Sequence, residues 1–527
     1  MKTGRIAAHV FLLVIPFIIA LTSVSTINER GKIWYFGDYD PAYAYLYNSL
    51  NITNGLAPGH YDHPGTNMQL LGAVVLKVSW TIDHHGYESL TGAVLKDPEY
   101  YLRILCMTVA VFGAVMVLLL GMVVLWFSKN LWYALLLQAT PFISGLILYN
   151  SFTRVSQESM LMVSSLTLAA FTIVWYFRHD HYSLKKWAVV FGIISGFGLV
   201  SKIIFLPLMI IPLLLIRKNK SRLIYLLTAG ITFIVFTIPI IIRYPSMAWW
   251  FVNLFIHSGI YGTGDASVVD FSKYFVSLKQ LITGNPAYSA VFVFNAIFLV
   301  ILLIRYRNSR ISDQKPAVKI LAGVFLVQLA GFLITAKHPK LAYLLPYELL
   351  SGIPLVLFFD IFFSRIRNFT VNNIAKGILI LPLLFFGIRY AILKKEKLYS
   401  NDKLQLNEQA WKRTLASGDA VIAINPGPSP VAAMFFANVY AADKYQDELQ
   451  ALYPDFYIFD TYSNSIVNWK RQAVPFTEIL QSYNYNVSVT GYKVDLLLPL
   501  LSVHKNISME KQGFGKTEVG LLRVSKL

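Results

Sequence analysis

Residues 101–127 have the sequence YLRILCMTVAVFGAVMVLLLGMVVLWF, in which Arg103 is the single charged residue. A helix needs about 20 consecutive apolar residues to cross the hydrocarbon core of a bilayer, so this stretch is long enough to span it. The composition of the 527-residue chain agrees, because 56% of its residues are hydrophobic and 14% are charged, whereas a soluble domain has roughly 25% charged residues. The sequence therefore predicts an integral membrane protein.

Ten further apolar runs flank this stretch, and together they predict a mainly α-helical polytopic membrane protein with about 11 transmembrane helices. The runs are residues 6–22, 131–149, 159–177, 187–200, 203–216, 223–242, 288–304, 320–336, 341–363 and 377–393. Runs 187–200 and 203–216 are short for two full spans, so they also fit one kinked helix or a hairpin. The first run resembles a signal peptide, but no small-residue cleavage site follows it before Trp34, so we expect a retained anchor.

The distribution of charge predicts the orientation of the chain. With the N-terminus in the cytoplasm, the inner loops collect the basic clusters at residues 185–186, 217–222, 305–319 and 365–376, as the positive-inside rule requires. Nearly all acidic residues of the first 390 then fall on the outer side. The acidic chemistry of the membrane part is therefore expected to face outward.

Composition also excludes several functions. The net charge of +18, from 46 Lys and Arg against 28 Asp and Glu, follows from the inner loops, so it does not indicate nucleic-acid binding. The single cysteine, Cys106, lies inside an apolar run. An intrachain disulfide and a thiol-rich metal site are therefore excluded.

Charged and polar residues return near Lys394. Short β-prone runs at residues 420–424 and 456–459 alternate with helical patterns at 430–442 and 476–483, which predicts a small α/β domain. We therefore expect a transmembrane domain at residues 1–394, with a first outer loop at 27–100, and a soluble extracytoplasmic α/β domain at 395–527. The NPGPSP stretch at 425–430 is a turn cluster, because it lacks the Lys and the Ser or Thr of a phosphate loop.

The first outer loop carries two acids in the segment GDYDPAYAY at residues 37–45, Asp38 and Asp40. Two carboxylates one residue apart could bind a divalent metal or place a general base beside a second acid. Helix capping before Pro41 is the alternative interpretation, and it accounts for Asp40 better than for Asp38. Behind the acids we expect an aromatic-rich amphipathic helix at 43–50 and an apolar stretch at 66–80 that suits the membrane interface.

Basic residues near the predicted outer face form a candidate anion site. Lys202 separates two apolar runs, where an ionisable residue is costly and indicates a functional site unless it snorkels to the interface. Lys337, His338 and Lys340 oppose the positive-inside trend at an outer helix boundary, which favours an anionic ligand over simple contact with lipid headgroups. Tyr343 follows Lys340 by about one helical turn and could hydrogen-bond the same ligand.

Arg154 and Glu158 form a further candidate pair at the outer start of a helix. Their spacing of four residues suits an ion pair within that helix, and it equally suits a place in the anion site. His63 lies in the segment YDHPGT at residues 61–66, immediately before the predicted interfacial helix.

The order of these segments resembles the GT-C superfamily of polytopic glycosyltransferases, which use lipid-linked sugars. Its members include protein O-mannosyltransferases, lipid A aminoarabinose transferases and RgtA/B/C/D-like proteins. The resemblance covers roughly residues 1–394 and rests on GDYDPAYAY at 37–45, YDHPGT at 61–66 and KHPKLAYLLP at 337–346. Many relatives have Asp-Glu in the loop motif, where this chain has Asp38-Tyr39-Asp40.

The resemblance implies inverting transfer of a sugar from an undecaprenyl- or dolichyl-phosphate donor to an extracytoplasmic glycan, lipid or protein. Asp38 is the first choice for the base and Asp40 the second. The implied residues for donor phosphate and substrate are His63, Arg154, Glu158, Lys202, Lys337, His338, Lys340 and Tyr343. No cofactor is expected, although a divalent metal held by both loop acids with Glu158 or a histidine is an alternative. The expected location is the bacterial cytoplasmic membrane.

Two other functions fit a polytopic protein. A transporter or lipid flippase would often show paired halves and broken helices at the membrane midplane, and no internal repeat is visible in the sequence. A non-catalytic protein of envelope glycan assembly would use the C-terminal domain as its binding module.

Overall fold

The structure is a computed structural model that describes residues 2–36, 39–84, 86–257, 264, 266–267, 269–308, 315–363, 377, 380–389, 392, 401–501, 507–513 and 519–526. The chain divides into two compact units. The membrane unit comprises Met1–Ser25, Tyr61–Met68 and Cys106–Lys394, and the sheet unit comprises Thr26–His60, Gln69–Leu105 and Lys395–Leu527. Residues 393–400 lie outside the described residues, so the domain boundary at residue 394 stays a prediction.

Helices make up most of the described chain. In chain order they are α1 Lys2–Arg30, α2 Ala42–Thr53, α3 Thr66–Ile82, α4 Leu90–Lys96, α5 Pro98–Ser128, α6 Leu131–Ala139, α7 Gly145–Phe152, α8 Gln157–Arg178, α9 Leu184–Ser201, α10 Ile210–Leu215, α11 Asn219–Thr237, α12 Tyr244–Ile256, α13 Phe271–Gly284, α14 Pro286–Asn308, α15 Lys315–Lys337, α16 Leu345–Glu348, α17 Gly352–Phe358, α18 Asn401–Ser417, α19 Pro430–Tyr440, α20 Gln446–Leu452, α21 Phe476–Ser482 and α22 Leu498–Leu501. Short 3₁₀ segments precede several of them, including Ile203–Met209 and Leu341–Leu344.

Among the described residues, eight helices are long and apolar enough to cross a membrane. They are His9–Arg30, Pro98–Ser128, Gln157–Arg178, Leu184–Ser201, Asn219–Ile256, Pro286–Arg305, Pro316–Lys337 and Leu341–Phe363. A ninth is present if Leu131–Ile143 and Gly145–Phe152, which are bent by 88°, form one span. The mainly helical polytopic membrane protein is thus confirmed, but the predicted count of 11 spans is not.

The difference in count has local causes. The predicted run 203–216 forms only the short helix Ile203–Leu215, which begins as a 3₁₀ segment and contains Pro207 and Pro212. Run 131–149 is broken at Ser144, whose backbone is extended. The last run, 377–393, is described in part and contains the shorter helix Ile380–Arg389.

The sheet unit contains a six-stranded sheet. Its strands are β1 Ala420–Asn425, β2 Phe456–Asp460, β3 Ser465–Val467, β4 Val487–Tyr492, β5 Ile507–Gly513 and β6 Val519–Lys526, in the order β3-β2-β1-β4-β6-β5. Strand β1 pairs in parallel with β2 and β4, and the remaining pairs are antiparallel. Every residue of β1 is buried, as expected for a central parallel strand whose first five residues are apolar. The predicted small C-terminal α/β region is confirmed.

The aromatic helix α2 is not amphipathic. All residues from Ala42 to Asn51 are buried within the sheet unit. The polar ones are accommodated because they find backbone partners there: Asn48 Nδ2 donates to the Tyr440 carbonyl at 3.1 Å, and Asn51 Nδ2 donates to the Ala441 carbonyl at 3.0 Å. The predicted aromatic-rich helix is present, but its predicted amphipathic character was wrong.

Candidate functional site

Lys202 is buried in the membrane unit, between the end of α9 and the 3₁₀ segment Ile203–Met209. Its side chain is 2% exposed, and Nζ donates a hydrogen bond of 2.7 Å to Oε1 of Glu158. The ammonium also lies 4.5 Å from the centre of the Tyr343 ring. Snorkelling does not fit this geometry, because the charge is held by a carboxylate and an aromatic face inside the protein.

The segment YDHPGT holds the end of α9, immediately before Lys202. The Gly65 amide donates to the Val200 carbonyl at 2.8 Å, and Asn67 Nδ2 donates to Ser201 Oγ at 2.7 Å. Gly65 has a φ of 65°, which favours glycine. With this φ, Gly65 lets the YDHPGT segment turn and contact the end of α9.

Tyr347 contacts the backbone that follows Lys202. Its hydroxyl donates to the Ile204 carbonyl at 2.8 Å, two residues after Lys202. The ring lies against Gly331 of α15, where a Cβ atom would be 2.5 Å from Cδ2 of Tyr347. Tyr347 was not among the predicted site residues, although it follows directly on the KHPKLAYLLP segment.

The two lysines of the basic segment KHPKLAYLLP make different contacts. Lys337 Nζ donates to the carbonyls of Leu254 at 2.7 Å and Phe255 at 2.8 Å, so this cation binds the last turn of α12, where the helix dipole favours positive charge. Lys340 is exposed, and its Nζ lies 5.8 Å from the centre of the Tyr343 ring. The membrane unit thus places both Lys340 and Lys202 at one aromatic ring.

Arg154 and Glu158 do not lie on one helix, so the pair that was predicted within a helix is not possible as such. Arg154 lies in a bend before α8, which begins at Gln157, and its guanidinium is 5.7 Å from the Tyr149 ring. Glu158 lies in the first turn of α8, where the helix dipole favours an acid, and its carboxylate accepts from Lys202. The spacing of four residues was misleading because the first residue is outside the helix.

The two candidate histidines have separate surroundings in the membrane unit. His63 makes an edge contact with Trp250, with 5.2 Å between ring centres. His338 is half-buried after the end of α15, and its amide donates to the Thr335 carbonyl at 3.0 Å. Their roles at the donor stay predictions.

Asp38, the first choice for the base, lies outside the described residues. Asp40 is exposed in the sheet unit, next to Tyr39, which is 2% exposed. The Tyr39 hydroxyl donates to Asn425 Oδ1 at 3.2 Å and accepts from the Gly427 amide at 3.3 Å. Burial raises the pKa of Tyr39, which keeps the phenol protonated. Tyr39 therefore anchors the acidic segment at the end of β1.

Helix α2 begins one residue after the predicted start at Pro41. The helix begins at Ala42, and Pro41 occupies the N-cap position without a side-chain hydrogen bond. Asp40 therefore lies one residue before the N-cap position, and its role as a cap or as a second acid stays a prediction.

Glu99 is a half-buried acid of the sheet unit that was not among the predicted site residues. Its carboxylate accepts from the amides of Ile33 at 3.0 Å and Trp34 at 3.3 Å and from the Tyr43 hydroxyl at 2.8 Å. Burial and then the charge of Glu99 raise the pKa of Tyr43, so its phenol remains a donor. No local sequence pattern predicts these hydrogen bonds, because the partners of Glu99 are more than 50 residues away in the chain.

No three His, Cys, Asp or Glu side chains gather into a possible metal site in the part of the chain that the structure describes. Asp38 is not in that part. Metal-independent transfer therefore stays a prediction.

Solved structures with the same fold are known. No protein-family model and no curated protein matches the sequence. The crystal structure of ArnT from Cupriavidus metallidurans bound to undecaprenyl phosphate superimposes with a TM-score of 0.52 and 11% sequence identity, over 99% of this chain and 98% of that chain. The apo structure of the same protein has a TM-score of 0.54 and 12% identity, with the same coverage. The chain therefore has the fold of ArnT over nearly the whole length of both chains, in agreement with the fold that the resemblance of its motifs implied.

Proposed function

We propose that the chain is a glycosyltransferase of the bacterial cytoplasmic membrane that transfers a sugar from a polyprenyl-phosphate donor to an extracytoplasmic acceptor. The fold and the order of the three sequence motifs support this function. One of the ArnT structures of the same fold is bound to undecaprenyl phosphate, and we infer a carrier of that class for this chain.

The cluster at the Tyr343 ring carries the proposal. When the sugar leaves its carrier, the bond between the anomeric carbon and the phosphate oxygen breaks, and the phosphate departs with an additional negative charge. A preorganised cation near that oxygen stabilises the transition state. Lys202 is buried, whereas Lys340 is exposed on the same ring, so Lys340 is the lysine that a donor phosphate can reach.

Lys202 has a different role in this proposal. Its contact with the Tyr343 ring, at 4.5 Å, fixes the ring, and the cation favours a phenol that donates its proton in a hydrogen bond to the phosphate. Lys202 is thus a positioning residue, and Tyr343 and Lys340 contact the donor.

The general base comes from the first outer loop. Asp38 accepts the proton of the acceptor hydroxyl while its oxygen attacks the anomeric carbon opposite the departing phosphate, which inverts that carbon in a single displacement. Asp40 is the second choice. No metal takes part in this proposal.

Donor kinetics test the phosphate site. Lys340→Ala should raise the KM for a polyprenyl-phosphate sugar and lower kcat, because both ground-state binding and leaving-group stabilisation are lost. Lys186→Ala is the matched control, since Lys186 is an exposed lysine of the membrane unit on the predicted opposite side of the membrane. Donor kinetics that are equal in both variants would remove Lys340 from the site.

A further inference from the structure

The sheet unit contains a cavity of about 300 Å³ that no step of the proposed transfer uses. Aromatic side chains form much of its wall, namely Trp34, Trp411, Tyr453 and Phe456. This volume lies at the lower end of the range for small-molecule sites, about 300 to 1,000 Å³. The cavity therefore admits a ligand of about the size of one sugar ring.

Three of these rings are neighbours in the wall. The centres of Trp34 and Trp411 are 6.0 Å apart with planes at 63°, and those of Trp411 and Phe456 are 6.2 Å apart at 30°. Trp34 is buried and Trp411 is half-buried, so the first ring is fixed and the second remains accessible. Aromatic faces carry partial negative charge and attract the weakly positive C–H groups of a pyranose. Such a wall suits the apolar face of a sugar.

Charged groups of both signs line another part of the cavity, and aliphatic side chains such as Leu415 and Met434 complete the wall. Lys32 lies at 5.9 Å from the Trp34 ring, and Lys96 and Asp97 line the wall beside it. All three are exposed, so their polar atoms can exchange water for the hydroxyl groups of a ligand. A carboxylate accepts and an ammonium donates, which together match a hydroxyl that does both. An alkyl chain would gain nothing from these groups.

A second cavity, of about 270 Å³, shares Lys32, Asp97 and Glu99 with the first. Arg30 and Arg103 add further donors to its wall. Because the two cavities have wall residues in common, they lie next to each other in the sheet unit. This arrangement fits an oligosaccharide better than an isolated small molecule.

We propose that the aromatic cavity, defined by Trp34, Trp411, Tyr453 and Phe456, is a saccharide-binding site for one sugar residue of a glycan. Resting on the proposed function, this glycan is the acceptor of the transfer. The sheet unit is then the part of the protein that selects the acceptor.

The binding test uses the full chain in nanodiscs and saturation-transfer difference NMR. The probes are the methyl glycosides of glucose, galactose, mannose and N-acetylglucosamine, with decanoate as an alkyl-chain probe. At least one glycoside should bind, and Trp411→Ala should weaken its binding roughly ten-fold through loss of the ring contact. Tyr462→Ala is the control, because Tyr462 is 86% exposed in the sheet unit and does not line the cavity; its binding should equal that of the wild type.

Several results would overturn the site. They are binding of none of the glycosides, binding of decanoate alone, and unchanged glycoside binding in a folded Trp411→Ala protein. Lys32→Ala serves as the second variant, because it removes an exposed polar group and leaves the aromatic wall in place. If Trp411→Ala does not fold, Lys32→Ala decides: weakened binding supports the site, and wild-type binding refutes it.

The acceptor role is tested separately in a transfer assay. Trp411→Ala should raise the KM for the acceptor and leave the KM for the lipid donor unchanged; an unchanged acceptor KM would overturn this role. Glycoside binding needs no donor, so binding without any transfer would leave the saccharide site standing and refute the proposed function instead.

Discussion

Lys202 and Glu158 neutralise each other inside the membrane unit, with 2.7 Å between Nζ and Oε1. The side chains are 2% and 11% exposed, respectively, so each charge has exchanged most of its hydration for its partner. Removal of one member of a buried pair leaves an uncompensated charge, at a cost of roughly 3 to 5 kcal/mol. The two residues are therefore expected to depend on each other for the stability of this region.

Single and double variants test this dependence. Lys202→Met and Glu158→Gln should each lower the free energy of unfolding, while the double variant should recover much of the loss because no charge remains unpaired. Thermal unfolding of the purified protein in one detergent measures all four forms. If the double variant loses as much free energy of unfolding as the two single variants together, the two charges act independently.

At the residue scale, the sequence identified the charges but not their partners. Lys202 could be predicted because an ionisable residue between apolar runs is costly. Glu158 was noticed through its spacing from Arg154, yet it pairs with Lys202, 44 residues later in the chain. Spacing describes neighbours on one helix, and contacts between helices depend on packing that no local pattern encodes.

Helices that pack closely in the membrane unit rely on small residues at particular positions. Gly331 of α15 lies where the Tyr347 ring passes, so an added Cβ would come within 2.5 Å of that ring. Gly230 of α11 has no atom within 4 Å of the equivalent position. The two glycines thus provide a test of packing with its own control.

Gly331→Ala should destabilise the protein, because the Tyr347 ring must move away from the added methyl group. The Tyr347 hydroxyl would then lose its bond to the Ile204 carbonyl, which should disturb the backbone that follows Lys202. Gly230→Ala should be neutral or stabilising, since Ala is favoured over Gly in a helix by about 1 kcal/mol. Thermal unfolding and donor kinetics of the two variants provide the comparison. Equal unfolding temperatures and equal donor kinetics in the two variants would contradict the close contact between Gly331 and the Tyr347 ring.

At the scale of elements, hydropathy predicted apolar segments better than whole spans. The runs around 159–177, 288–304 and 320–336 became single helices, whereas run 131–149 bends by 88°. A hydropathy window records how apolar a segment is, but a bend at Ser144 or a 3₁₀ start at Ile203 leaves that average unchanged. Breaks are set by backbone geometry and packing, so the count of spans could not be fixed from composition.

At the scale of the molecule, motif order predicted the fold correctly, and the sheet region was predicted from alternating apolar runs. The division into units could not be foreseen. Thr26–His60 and Gln69–Leu105 join the sheet unit with the C-terminal residues, through bonds such as that from Asn51 to Ala441, 390 residues apart. The sequence contains no periodic signal for contacts at such separation.

The positive-inside rule predicts the orientation of the whole chain, with the N-terminus in the cytoplasm and the residues after Lys394 outside. Alkaline phosphatase fused after Leu527 should be active in bacterial cells, because that enzyme matures only outside the cytoplasm. A fusion at the same position to a reporter that works only in the cytoplasm should be silent. The reverse pattern would contradict the predicted topology.

The most direct test of the central claim is a transfer assay with the purified full chain in nanodiscs that contain an undecaprenyl-phosphate-linked sugar and an envelope glycan extract. Mass spectrometry follows the release of undecaprenyl phosphate and the mass gained by the acceptor. The wild type should release the carrier in proportion to the sugar transferred. Asp38→Asn should be slower by roughly 10² to 10⁴ if the general base is lost, and Asp40→Asn should lose less. Wild-type protein that transfers no sugar from any such donor would contradict a glycosyltransferase function, and full activity in both aspartate variants would contradict a base in the first outer loop.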